Sequence, residues 1–513
     1  MHGLSAILSV LLTIVVACNT AFSADPAASK QRYDSIVANL DTGGDILVVA
    51  NLEGCMQGLV SNISQFVAAL PQTDQDSAAI QNTFNKIPQF LQRNGFYAVQ
   101  GFGMSVVPRT DGLNTVKEFI GRDRAAAGLP LWRGLVGGQP RTLLCAGFIP
   151  EDTVLVRTGT GEIAQFWKLI RAGVAEFASP AGNAGFERQL SNLSTNMGVN
   201  IDKILESIGN EGLFSIQLSR TNLIDIPSSH GAPVKMPCPS LLIVLAVKDN
   251  TLIKAMEQPL ARAGMPVIRT ECESISVSSI NLPMPLPIPF QPAFAVCSNF
   301  FLLGSSPAVV SDAVKAFKAN NGLVATPEYK QAFAGLPAVN NGIFYMSPRF
   351  TKSIMDLQAT LMESAEGPEN GGSPAAISAL FGAKADTKSA FVVQNRPDGI
   401  LSAGITSSGG KEMAGALLVA PIGVMAGIAI PSFVKARSTA QGHACVNNLR
   451  MIEAAKEQWA LSENKKEGDP VDVPGISHYI KGDKIPVCPQ GGTYKINAIG
   501  VNAECTIPGH KMP

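Results

Sequence analysis

Histidine is the side chain best suited to acid–base chemistry at neutral pH, and this chain of 513 residues holds five: His2, His230, His443, His478 and His510. Between the N-terminal apolar run and an uncharged stretch that starts at Met413, His230 stands alone, in a Ser/Gly/Pro-rich loop. A Ser-His-Asp or Cys-His arrangement in that body must use His230, and no G-x-S-x-G elbow accompanies it. There is no H-E-x-x-H, no C-x-x-C, and no histidine at a zinc-ligand spacing from a cysteine pair. The sequence therefore predicts no metal site and no cofactor. "GITSSGGKE" (404–412) approaches a phosphate-binding loop, but its lysine falls one position late and Glu412 stands where a Ser or Thr holds magnesium. "RTGTGE" (157–162) lacks the third glycine of a dinucleotide fingerprint and reads as a strand-to-helix turn. Any two of the 40 acidic residues can meet as a glycosidase pair, yet no spacing marks one, and three Trp with six Tyr supply little sugar-stacking surface. The expectation is a protein without catalytic residues.

Composition narrows the partners. Formal net charge is zero, with 46% hydrophobic and 16% charged residues, so no basic excess exists to neutralise a phosphate backbone, and nucleic acid is not expected as a partner. The apolar run from Leu4 to Cys18 is too short to span a bilayer comfortably and fits a signal-peptide core, with Ala21 and Ser23 placed for cleavage after Ser23 (segment 1–23). The n-region has neither Lys nor Arg. A second reading stands beside this one: "VVAC" (15–18) matches a lipobox, which would make Cys18 a lipidated first residue. Nine cysteines (18, 55, 145, 238, 272, 297, 445, 488, 505) are compatible with an oxidising compartment.

The elements that must position any site come in a recurring order: a short apolar strand, a polar turn, then an amphipathic helix. Residues 45–63, 152–173, 240–264, 299–322 and 340–361 share this shape. Further strands are expected at 143–149, 212–219, 274–280 and 293–298, and 389–408 reads as a hairpin closed by "RPDG". Strands in series with tight turns favour antiparallel pairing, so the predicted class is α+β: a two-lobed, mainly antiparallel sheet body with packed helices, lobe 1 at 25–230 and lobe 2 at 238–408. "LPMPLPIPFQP" (282–292) forces extended backbone and reads as a stiff loop joining two strands of one hairpin. The order "FFLLGSSPAVVSDAVKAF…TPEYKQAFAGLPAVNNGIFYMSPRFTKSI" resembles an uncharacterised bacterial envelope family over residues ~40–408, which implies fold and location but no chemistry.

From Met413 to Val434 no side chain is charged. These 22 residues would measure ~33 Å as a helix, enough to cross a bilayer core, with kinks at Pro421 and Pro431. The helical pattern continues through 435–465, where Cys445, Leu449, Ile452, Ala455 and Trp459 form one apolar stripe, read as an interaction stripe, while Lys456, Glu457 and Glu463 face elsewhere. "GIAIPSFVKAR" (427–437), "ACVNNLRMIEAAKEQWAL" (444–461) and the small head at 470–513 resemble a type IV pilin or a type II secretion pseudopilin. Unlike a pilin, this chain has no Gly-Phe junction before the helix and carries a large domain ahead of it. The resemblance implies a long membrane-spanning helix and a small β head. Within that head Cys488 and Cys505 flank a strand-turn-strand unit, so a disulfide is expected there, worth roughly 3 kcal/mol. The functional expectation is a non-enzymatic cell-envelope protein, membrane-anchored, structural or scaffolding at a secretion or pilus-like assembly and partnered by its components or by itself. The alternative is an exported binding module for an apolar or lipid-like ligand, with 413–434 as a buried core helix.

Overall fold

Runs such as "ILVVAN" and "SLLIVLAV" are β-branched and apolar with no helical period, and each of them forms a strand. The computed structural model describes residues 26–68, 75–226, 234–281, 290–364, 387–408, 445–480, 482–488, 491–507 and 510. The chain divides into two units, Met1–Leu418 and Val419–Pro513.

The first unit is α+β and is built on one antiparallel sheet of 13 strands. From one edge, the order is Ile46–Asn51, Val99–Pro108, Asn114–Arg122, Gly399–Thr406, Ser389–Arg396, Gly342–Met346 and Thr153–Gly159. It continues through Ile208–Ile226, Val234–Val247, Phe300–Gly304, Ala293–Cys297 and Ile275–Ile280 to the other edge, Val267–Cys272. The expected division into two lobes is replaced by this continuous sheet. The strands on either side of the loop taken as the divide, Ile208–Ile226 and Val234–Val247, are hydrogen-bonded to each other along most of their length. The hairpin at 389–408 forms in the expected register, with Arg396 opposite Gly399. Strands Ile275–Ile280 and Ala293–Cys297 on either side of the proline-rich stretch pair with one another.

Each of the five strand-then-helix units carries its helix: Cys55–Ala68, Ile163–Phe177, Thr251–Arg262, Pro307–Ala319 and Pro348–Ser364. Helix Thr251–Arg262 lays Leu252, Ile253, Met256 and Leu260 over Ile280, Phe294 and Phe301, the face its spacing predicts. Helix Pro307–Ala319 is capped by Ser306, whose hydroxyl accepts from Val309 N, and buries Val309, Val310, Ala313 and Val314 in the largest core cluster.

One expected strand is absent. Residues 143–149 form a short 3-10 turn, Leu144–Phe148, which brings Cys145, Phe148 and Ile149 into the core. Phe148 stacks on Phe317 at 4.0 Å, and the Cys145 amide donates to Glu211 Oε2 at 2.9 Å instead of to a ladder partner. Helices Gln75–Asn94 and Pro180–Met197 and strands Val99–Pro108 and Asn114–Arg122 were not expected; the strands are glycine-bearing or charged and lack a clean apolar alternation.

A buried amide fixes the middle of the sheet to the helix Pro130–Val136. Asn341 Nδ2 donates to Gly138 O (2.8 Å), Thr160 Oγ1 (3.0 Å) and Val136 O (3.2 Å), while its Oδ1 accepts from Asn395 N (2.8 Å). Asn341→Leu takes the acceptor from the buried Asn395 amide, while Thr160 Oγ1 still donates to Val136 O and Asn395 Nδ2 to Gly138 O, and we expect a loss of roughly 1–3 kcal/mol in chemical denaturation of the first unit.

The expected membrane span is corrected here. Among the described residues no helix is long and apolar enough to cross a membrane. The 20-residue helix Gln75–Asn94, for example, carries Gln, Asn, Lys and Arg around its surface. Residues 413–434, with Pro421 and Pro431, lie outside the described residues, as do Cys18 and His230.

Candidate metal centre

The second unit begins its described part with a helix over residues 445–462. The stripe read from the sequence is its buried face: Cys445, Leu449 and Ile452 are fully buried, with Ala455 and Trp459 close behind. Leu449, Ile452, Ala455 and Trp459 form one core cluster within the unit. They pack on Ile476, Ile480 and Ala503 of the same unit. Lys456, expected on the opposite face, is also buried, for its Nζ donates to Val501 O at 2.7 Å and to Glu453 Oε1 at 3.2 Å.

The helix is answered by a two-stranded pair, Tyr494–Lys495 with Glu504–Cys505, in which Tyr494 stands opposite Cys505. Before the pair Gly491 N donates to Cys488 O (2.9 Å), and after it His510 N donates to Ile507 O (3.2 Å). Gly491 holds φ +79, a conformation that disfavours side chains, and a Cβ on Gly492 would lie 2.8 Å from Cys505 Sγ. The glycine pair thus lets the backbone close over the sulfurs.

These elements bring Cys445, Cys488, Cys505 and His510 together. One ligand atom from each lies within 4.8 Å of all the others. Cys488 Sγ is 3.6 Å and Cys505 Sγ 3.9 Å from His510 Nδ1. A tetrahedral zinc with bonds of about 2.3 Å to sulfur and about 2.0 Å to nitrogen requires sulfur–nitrogen edges of about 3.6 Å, so the spacing fits such an ion. Cys445, Cys488 and His510 are buried, and Cys505 is partly exposed. Ile507 N donates to Cys505 Sγ at 3.5 Å.

The expected Cys488–Cys505 disulfide is therefore corrected. No disulfide joins the described cysteines, and the two thiols share a third sulfur and an imidazole instead of bonding to each other. The absence of a metal site was also expected, and here the residues for one are present. The prediction failed because the first three ligands stand 43 and 17 positions apart, far outside the short spacings of paired zinc ligands, and the first comes from a helix. A signal existed: the chain after Val434 holds three cysteines, an odd number, with a histidine five residues after the last.

Electrostatics give the cluster a definite pH behaviour. Burial pushes the Cys445 thiol up to about 12; the Tyr494 hydroxyl opposes this, and the neighbouring Cys488 and Cys505 thiols add to it. Thiols in an unfolded chain ionise near about 8.5. A folded value above the unfolded one gives stability that is present below the unfolded value and is lost as pH rises toward the folded one. In the metal-free chain this works further against folding of the head above pH ~9. A bound cation reverses the sign, since its ligands are deprotonated and protons compete for them, so the loaded head should weaken below pH ~6. Thermal unfolding of the zinc-loaded protein across a pH series checks the acid arm.

In the first unit the weak motifs are structural. Thr160 of "RTGTGE" donates from Oγ1 to Val136 O at 2.7 Å, and a Cβ on Gly161 would lie 2.7 Å from Gly134 O, so this turn packs against a helix. Residues 409–412 of "GITSSGGKE" lie outside the described residues.

Comparison with known proteins finds a family described as a protein of unknown function (DUF3352), which is similar to residues 224–379. No pilin or pseudopilin match appears, and no curated protein or solved structure matches.

Proposed function

We propose that the C-terminal unit is a metal-closed head in which Cys445, Cys488, Cys505 and His510 hold one zinc-class ion, and that the chain works as a structural protein and not as an enzyme. The convergence of four ligand atoms from separate stretches at a buried point carries this reading. Thiolate and imidazole select zinc-class ions over magnesium and calcium. Three thiolates and one imidazole also saturate a tetrahedral ion, leaving no position for water or substrate, as in structural zinc sites. The head needs such a closure, because among the described residues its main core cluster has only seven buried apolar side chains. For the chain as a whole, scaffolding at a secretion or pilus-like assembly of the cell envelope is our reading, supported by the resemblance of 444–461 and the head to pilin-like sequences.

Metal analysis of the full-length chain, purified under reduction without chelators, tests the site. One zinc per chain is expected, and Cys488→Ser or His510→Ala should lower it severalfold. A chain that stays metal-free after zinc is offered would sink the proposal.

A further inference from the structure

We infer that Tyr494 and Asn448 form an outer layer of this centre that holds Cys445 in place as its third thiolate ligand; the inference rests on the metal reading above. Tyr494 Oη lies 3.3 Å from Cys445 Sγ and donates to it. The direction of that bond is fixed by Asn448, whose Nδ2 sits 3.1 Å from the same oxygen. An amide nitrogen can only donate, so the phenol oxygen accepts from Asn448 and its own hydrogen is left for the sulfur.

The same Nδ2 donates to Val487 O at 3.2 Å, the carbonyl just before Cys488. Asn448 follows Cys445 by three residues on the helix, which places the two side chains on one face. Tyr494 stands in register with Cys505 across the strand pair. One amide and one hydroxyl therefore tie together the segments that carry three of the four ligands.

The charge of the site explains what this layer does. Three thiolates around a divalent ion leave a net charge of −1 among ligands of which Cys445, Cys488 and His510 are buried. A hydroxyl hydrogen aimed at a coordinated sulfur draws off part of that charge, as the Ile507 amide does at Cys505. Tyr494 and Asn448 are thus positioning residues that act through Cys445.

Cobalt(II), added to the reduced full-length chain, is the probe. The wild type should show tetrahedral d–d bands and a sulfur-to-cobalt charge-transfer band. Tyr494→Phe should keep the d–d bands, shift the charge-transfer band to lower energy, and bind zinc roughly 10–100-fold more weakly in competition with a chromophoric chelator. Asn448→Ala should move both readouts in the same direction, because the hydroxyl loses its fixed orientation. Tyr494→Phe matching the wild type in spectrum and affinity would overturn the inference while leaving the metal site intact. Loss of cobalt binding together with the head's fold would assign Tyr494 to packing alone and overturn it too. A wild type without the tetrahedral spectrum removes the metal reading itself.

Discussion

A strong zinc chelator added under reducing conditions should melt the C-terminal unit and leave the 13-stranded sheet of the first unit folded. The expected size follows from two magnitudes. Structural zinc contributes about 10–16 kcal/mol of apparent binding energy at neutral pH in small domains that fold around it. The described part of this unit, within 445–510, is a small scaffold, and one small core rarely supplies more than about 3–5 kcal/mol by itself. The core cluster of Leu449, Ile452, Ala455, Trp459, Ile476, Ile480 and Ala503 falls in that class. Losing the ion should therefore cost more than the head holds in reserve. Hydrogen exchange would show it as rapid exchange of amides across 445–507, with the sheet amides still protected. Cys488→Ser should reproduce the effect without chelator, since it removes a buried ligand. Protection of the head unchanged by both treatments would mean that the four side chains are neighbours and nothing more.

Replacing Lys456 with alanine should destabilise the zinc-loaded head by roughly 3 kcal/mol or more, far beyond what a surface lysine contributes. The side chain is 2% exposed, and its ammonium reaches Val501 O at 2.7 Å and Glu453 Oε1 at 3.2 Å. The same Glu453 oxygen accepts from Ala503 N at 2.5 Å. Lysine and glutamate together pin the 501–503 segment onto the helix, directly before the strand that carries Cys505. Removing one partner of a buried pair leaves the other uncompensated, which typically costs about 3–5 kcal/mol. Lys456→Met separates charge from volume, and it should cost less than alanine because the stem still fills its place. Glu453→Gln should be milder again, as the amide oxygen still accepts from Ala503 N. Denaturant titration of the loaded protein, followed through exchange of helix 445–462, ranks the three. Equal and small effects would show that the pair is solvated in solution.

Much of the first unit was legible because its strands are apolar and its helices amphipathic. The period of Leu252, Ile253, Met256 and Leu260 named the face that meets the sheet. The strands at 99–108 and 114–122 were not legible, since Gly101, Gly103, Lys117 and Glu118 blur their alternation and their place is decided by neighbours far along the chain. Residues 143–149 failed for the opposite reason: they look like a strand locally, and the core overrides them. In the second unit the helical stripe was legible down to Cys445, but the reading stopped at pairwise chemistry. Two cysteines flanking a turn suggested a bond between themselves, whereas the fold supplies a third sulfur from the helix and a nitrogen from the tail. Lys456 was misread because a long aliphatic stem can sit on the buried side when its tip finds carbonyl and carboxylate oxygens.

The order of strands in the large sheet has a consequence for biosynthesis. Asn114–Arg122 has Gly399–Thr406 as one neighbour, with Gly121 facing Gly399, and Thr153–Gly159 leans on Gly342–Met346. A ribosome delivers the early strands long before their partners exist, so nascent chains must wait with open, apolar edges until residue 406 has emerged. Such high contact order means slow closure and a long interval of vulnerability to mispairing. Nascent chains stalled anywhere before that point should be digested readily by protease, and resistance should appear abruptly once the last strand slots into the middle.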